Sequence, residues 1–97
     1  MSGLLHQLLW RRARRFLVRA LRDLEDRDYD GACFNAEEAI QLAVKAALYR
    51  FFGETPRMHG SKTLLARLRN LFMDAGAEEE ARLIGRFGRI TGMLSTC

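Results

Sequence analysis

Three basic residues lie close together where a loop is predicted to lead into a helix. Arg57, His59 and Lys62 fall within a span of six residues, and the free N–H groups at the start of a helix attract anions. Lys45 ends a polar line, Glu37–Gln41–Lys45, on the preceding predicted helix. The pattern predicts a nucleotide- or anion-binding site made of Arg57, His59, Lys62 and Lys45. The alternative interpretations are a structural loop histidine at position 59 and, for the polar line, a helix-surface ladder or a strip inside a dimer interface.

A second basic feature is a stripe of arginines on the first predicted helix. Five side chains fall in one arc of about 100° at 3.6 residues per turn; they are Arg11, Arg12, Arg15, Arg19 and Arg22. One interpretation is a stripe that contacts phosphate groups. The other is a solvated face whose long side chains pair with acids of neighbouring helices or of another subunit. A membrane-surface helix is disfavoured, because the apolar face of this helix is wide enough to need a protein core.

Patterns for catalysis and metal binding are missing from the sequence. Gly60-Ser61-Lys62-Thr63 looks like the end of a phosphate-binding P-loop, but the lysine does not directly follow the last glycine and a helix, not a strand, precedes it. The histidines and cysteines are scattered singly, at His6, Cys33, His59 and Cys97, whereas a metal site needs several ligands at defined spacing. We therefore expect no catalytic residue, no metal and no cofactor.

The composition indicates that helices position these residues. The chain has 97 residues, with 15 Leu and 12 Ala against nine β-branched residues and one proline, and this balance favours helices over strands. The length allows one domain, residues 1–97, whose core is small enough that oligomerisation is expected. The net charge of +4 is unevenly distributed, at +6 over residues 1–22, −5 over 23–54, +4 over 55–73 and −1 over 74–97. Complementary contacts between helices or subunits suit this pattern at least as well as nucleic acid does.

Hydrophobic periodicity predicts four helices, at residues 4–26, 29–52, 62–75 and 77–95. Asp28 or Asp30 is expected to cap the second helix and Ser61 the third, while Gly53 and Gly76 end the second and third. The fold class predicted is all-α, an antiparallel four-helix, up-and-down bundle.

The helix faces predict which elements are buried. The first helix has a core stripe of Leu9, Trp10, Ala13, Phe16, Leu17, Ala20, Leu21 and Leu24. The second helix is apolar nearly all round, which predicts a central position. The fourth contains Gly85, Gly88 and Gly92, and three glycines inside one helix predict a frayed or irregular element.

The N-terminal leucines predict a helix start and not a targeting signal. Residues 1–10 lack a basic region before the leucines and a cleavage pattern after them, and no apolar run approaches the length of a membrane span. A cytoplasmic location without membrane association is therefore expected.

The order and spacing of several segments resemble those of the HEPN domain family (higher eukaryotes and prokaryotes nucleotide-binding). The matching residues are Trp10, Ala13, Phe16-Leu17, Ala20, Asp28-Tyr29-Asp30, Ala32-Cys33-Phe34-Asn35-Ala36-Glu37-Glu38-Ala39, Gln41-Leu42-Ala43-Val44-Lys45-Ala46, Gly53-Glu54-Thr55-Pro56, His59 and Leu64-Leu65. The likeness is to small stand-alone prokaryotic members and covers about residues 8–68, with residues 69–97 diverged or truncated.

The resemblance implies an antiparallel helical bundle, commonly dimeric, with one of two kinds of function. Some members are metal-independent ribonucleases that use an Arg followed four to six residues later by His on a late helix. Others pair with a minimal nucleotidyltransferase, often as a toxin–antitoxin system, or bind nucleotides. Here the late helix carries Arg82, Arg86 and Arg89, and no histidine follows residue 59.

The leading hypothesis is a non-catalytic HEPN-type homodimer that partners a minimal nucleotidyltransferase, binds a nucleotide, or both. One alternative is a metal-independent ribonuclease with a degenerate motif, which would use Arg86 or Arg89 with His59. The other is a basic RNA-binding helical module that uses the arginine stripe.

Overall fold

Four helices and no strand make up the part of the chain that the structure describes. The computed structural model describes residues 2–94, with side chains from 4 to 89. The helices are α1 (Ser2–Glu25), α2 (Tyr29–Phe52), α3 (Ser61–Asp74) and α4 (Glu78–Leu94). The predicted all-α four-helix fold is confirmed, and the helix boundaries differ from the predicted ones by no more than two residues.

Short polar turns set the antiparallel course of the chain. The Asp28 carboxylate accepts the N–H of Gly31 at 3.0 Å and caps the start of α2, as predicted. Gly53 ends α2 with φ +68°, and Gly76 follows α3 with φ +80°, a conformation that favours glycine. Near the first turn the Asn35 side-chain amide donates to Asp23 at 2.6 Å, which ties α2 back to α1.

The start of α3 differs from the prediction. Gly60, with φ +96°, occupies the N-cap position and makes no side-chain hydrogen bond. Ser61 is already helical and buried, and its hydroxyl donates to Glu37 of α2. The prediction that Ser61 is the N-cap was therefore wrong, because a partner from another helix holds this residue.

Helix α4 is continuous from Glu78 to Leu94 and runs through its glycines. The prediction of a frayed or irregular helix was therefore wrong. The physical reason is packing: Ala81 is 1% exposed and half-buried Ile84 packs on the core, so contacts with the rest of the chain offset the low helix propensity of glycine.

The core lies between α2 and α3. Its buried centre is Val44, Leu48, Leu64, Leu65 and Leu68, and Ile84 of α4 packs against it. Helix α2 contacts each of the other three helices, whereas α1 contacts α2 alone within the described residues. The predicted central position of α2 is confirmed, and α1 lies at one side of the molecule.

Because α1 has one neighbour, half of its predicted core stripe is not covered. Ala13 and Ala20 are buried against α2. Trp10, Leu17, Leu21 and Leu24 are 51–54% exposed and fall in an arc of about 60°. These four residues are called the α1 apolar face below.

Candidate functional site

The residues of the predicted anion site lie around the loop between α2 and α3. Lys45 Nζ on α2 lies 3.5 Å from Nδ1 of His59 in this loop. Arg57, His59 and Lys62 are exposed, and Lys45 is half-buried. The structure therefore brings Lys45 and His59 together, whereas Lys62 lines a different surface between α3 and α4.

A carboxylate of the chain itself covers the start of α3. Oε1 of Glu37 accepts the Ser61 N–H at 3.0 Å, and Oε2 accepts the Ser61 hydroxyl at 2.8 Å. Gln41 Nε2 donates to the same Glu37 at 3.4 Å. The first backbone N–H of α3 is therefore used internally, so an anion bound here would depend on the side-chain cations.

The one ion pair among the described residues joins the loop to α3. Arg67 binds Glu54 through two hydrogen bonds, of which Nε to Oε2 measures 3.0 Å. The hydrogen bond from Arg67 holds the pKa of the Glu54 carboxyl below its ordinary value, and the same bond raises the pKa of Arg67. This pair fixes the end of the loop that carries Arg57 and His59.

The arginine stripe of α1 is exposed along its length. None of its five arginines pairs with a described carboxylate. The Arg19 guanidinium lies 5.1 Å from the Phe16 ring, a cation–π arrangement, and both border a shallow depression shared with Arg12 and Arg15. The described part of the chain supplies no acid for this stripe, so its charges are available to a partner.

A groove of substantial size lies between α3 and α4 and is called the α3–α4 groove below. Its volume is about 620 Å³. Four cations line it, Lys62 and Arg69 from α3 and Arg82 and Arg89 from α4, over apolar side chains that include Leu65 and Ile84. Our sequence reasoning missed this site. The seven-residue spacing of the two cations on each helix was the available signal, since two turns place both on one face.

A smaller cleft of about 310 Å³ separates the start of α1 from the end of α2. It is lined by His6 and Trp10 of α1 and by alanines, Arg50 and Phe51 of α2. Because Trp10 and Phe51 are both more than half exposed, the cleft extends the α1 apolar face onto α2.

The comparisons with known proteins identify the family. The family model described as HEPN domain matches residues 6–89. This chain belongs to the HEPN family. No curated protein and no solved structure matches the chain. The HEPN match runs past residue 68 and includes α3 and most of α4, so the α3–α4 groove is part of the family's domain.

HEPN membership indicates a nucleotide-binding or ribonuclease-type module. On α4, Arg82, Arg86 and Arg89 are exposed, and no histidine follows them in the sequence. His59, the nearest histidine before α4, contacts Lys45. In the described residues no three histidines, cysteines or acids are grouped to hold a metal ion. No helix there is long and apolar enough to span a bilayer.

Proposed function

We propose that this chain is a non-catalytic HEPN protein that acts as a homodimer and that partners a minimal nucleotidyltransferase in a toxin–antitoxin-like pair, binds a nucleotide, or does both. The observation that carries the proposal is the α1 apolar face. Between residues 4 and 25, the arc of this face holds no Arg, Asp or Glu, although α1 is rich in arginine. An uncharged, exposed face on a helix with one neighbour is typical of an association surface.

The free energy gained by covering the α1 apolar face also favours association. Fully burying a large apolar side chain stabilises a protein by about 1.5–3 kcal/mol, so covering four half-exposed side chains contributes on the order of 3–6 kcal/mol. The neighbouring cleft with Trp10 and Phe51 enlarges the surface across two helices. Aromatic anchors of this kind are enriched where interfaces are strongest.

The oligomeric state tests this part of the proposal. We expect the wild-type chain to have about twice its 11.1 kDa mass by light scattering, and Leu17→Glu to be monomeric. Val18→Glu is the matched control, because Val18 is similarly exposed but points about 100° away on the same helix. The proposed homodimer would be contradicted if the wild type were monomeric at tens of micromolar, or if the two variants had equal effects on the measured mass.

The partner role is tested by co-expression. The unpaired arginine stripe offers positive charge to an acidic protein surface, and electrostatic complementarity favours specific and fast association. We expect a tagged chain to co-purify in fixed stoichiometry with a minimal nucleotidyltransferase from the same genome. Replacing Arg12, Arg15 and Arg19 with Gln is expected to weaken that complex and to make its affinity less dependent on salt concentration. Absence of a complex with the wild-type chain would remove the partner role.

The non-catalytic character is tested with RNA. The metal-independent mechanism of the family needs an Arg and a His on a late helix, and α4 supplies arginine alone. We expect no cleavage of an RNA oligonucleotide by the purified chain in the presence of a chelator. Cleavage that His59→Ala abolishes would replace this proposal with the ribonuclease alternative.

Nucleotide binding is favoured by cations that lack acidic partners. Arg57, His59 and Lys45 form no ion pair with a described carboxylate and remain our candidate residues around the loop, whereas Lys62 lines the α3–α4 groove. Calorimetric titration with ATP tests the activity, and binding that Arg57→Gln and Lys45→Gln both weaken would assign it to the loop. No detectable heat or affinity for any nucleotide would remove this role.

A further inference from the structure

The α3–α4 groove has the size and the walls of a small-molecule site. Ligand sites commonly occupy about 300–1,000 Å³ and combine an apolar lining with a few polar groups. The groove measures about 620 Å³, and Leu65, Ala66 and Ile84 provide apolar lining between its cations. It is thus large enough for one ligand of nucleotide size.

Its charge is of one sign. Lys62, Arg69, Arg82 and Arg89 line the groove, no acidic residue lines it, and no described carboxylate pairs with these cations. Arg67, on the same helix but outside the groove, is paired with Glu54. Four like charges around one cavity repel each other, so an anion in the groove would relieve an unfavourable field.

The two ends of the groove differ. Arg69 and Arg82 also border a smaller depression that contains Glu78, so one end has an acid nearby. On α3, Lys62 lies seven residues before Arg69, and on α4, Arg89 lies seven residues after Arg82, which is about 10 Å along each helix. Since α3 and α4 are antiparallel, Lys62 and Arg89 together form the end without an acid, where a phosphate group is held best.

Two glycines of α4 keep the groove open. Gly85 and Gly88 line it, and glycine inside a helix is less stable than Ala there. A Cβ at Gly88 would meet no atom within 4 Å, and one at Gly85 would meet Arg69 at an ordinary 3.7 Å. The packing of α3 on α4 therefore does not require glycine at these two positions. A ligand whose flat face lies on the surface of α4 would require it, because a side chain there would occupy the same space.

We propose that the α3–α4 groove binds a nucleoside polyphosphate, with its phosphates on Lys62 and Arg89 and its base over Gly85, Gly88 and the apolar lining. This assignment rests on the nucleotide-binding role proposed above and places that role in a definite site. A single nucleotide suits the groove better than RNA does, because a volume of about 620 Å³ has room for one base on the apolar floor and for its phosphates between the cations.

The test is titration of the full chain with ATP at low salt. Gly88→Leu fills the groove on the helix surface, and Arg89→Gln removes a phosphate contact. We expect each change to weaken binding about tenfold or more. Arg86→Gln is the matched control, since Arg86 is an exposed arginine of the same helix that does not line the groove. Adenosine is expected to bind much more weakly than ATP, because it lacks the phosphates.

The possible outcomes distinguish a failure of the groove assignment from a failure of the proposed nucleotide binding. If Arg57→Gln weakens ATP binding while Gly88→Leu and Arg89→Gln do not, the loop is the site and the groove assignment is overturned, although nucleotide binding stands. A single-stranded RNA that binds the groove and is not displaced by ATP overturns the ligand class. Circular dichroism and light scattering on the same samples verify that the variants remain folded and keep the oligomeric state of the wild type.

Discussion

Glu37 shows how one side chain joins two helices and a loop. Its carboxylate on α2 accepts both the N–H and the hydroxyl of Ser61, so it serves as the N-cap that Gly60 cannot provide. The acid comes from 24 residues earlier in the chain, which is why a local capping rule selected Ser61 instead. The start of α3, and with it Lys62, is positioned by this contact.

Removal of the Glu37 charge is expected to destabilise the fold. Glu37→Gln weakens two hydrogen bonds to a charged acceptor, which is expected to cost about 1–3 kcal/mol in the free energy of unfolding. Urea denaturation followed by circular dichroism measures this change. Glu38→Gln is the control, because Glu38 is similarly half-buried and its side chain forms no hydrogen bond with another described residue; equal losses in the two variants would argue against the capping role.

The Glu54–Arg67 pair predicts a pH-dependent contribution to stability. The hydrogen bond from Arg67 holds the pKa of Glu54 below its ordinary value of 4.5. A carboxyl whose pKa is lower in the folded chain stabilises it above the unfolded pKa, and this contribution disappears as the pH falls through the folded pKa.

We therefore expect wild type to be slightly more stable than Glu54→Gln at neutral pH, with the difference vanishing in acid below pH 4.5. Arg67 is exposed and Glu54 is only half-buried, so the difference is small and decreases with salt. Urea midpoints across this pH range provide the measurement. A difference that grows towards low pH would contradict the assignment.

At the scale of the elements, glycine has opposite roles in α2 and α4. Gly53 ends α2 in the left-handed conformation, whereas Gly88 lies inside a regular helix with open space at its Cβ position. The same substitution is therefore expected to change stability in opposite directions.

Gly53→Ala is expected to destabilise the chain by about 1 kcal/mol, because Ala is strained at positive φ. Gly88→Ala is expected to stabilise it by up to about 1 kcal/mol through helix propensity. Thermal unfolding of the two variants beside wild type tests the contrast. If both variants shift Tm in the same direction, one of the two roles is wrong.

Most of the element structure is predictable from local residues, and most of the candidate site is not. Asp28, Gly53 and Gly76 act within their own turns, so the sequence predicts where the helices begin and end to within two residues. In the α3–α4 groove, cations of α3 meet cations of α4 that lie 13 to 27 residues further along the chain, and their meeting depends on how α3 packs on α4. The exposure of Leu17 and Leu21 likewise depends on α1 having one neighbour, which periodicity alone does not indicate.

At the scale of the whole molecule, stability is expected to depend on protein concentration. If the α1 apolar face is covered in a dimer, association stabilises the folded chain by mass action. A tenfold increase in concentration is then expected to raise the Tm of the wild type by a few degrees. Leu17→Glu is expected to have a lower Tm that does not change with concentration; a wild-type Tm equally independent of concentration would contradict the dimer.

The single contact surface of α1 also has a consequence for protein turnover. A helix held by one neighbour can detach at a lower free energy than the rest of the fold, and a detached α1 is a substrate for proteases. A second copy or another protein on the α1 apolar face would oppose this detachment. Copies without a partner would then be degraded faster than assembled ones, so the cellular level of the chain would follow the supply of its partner.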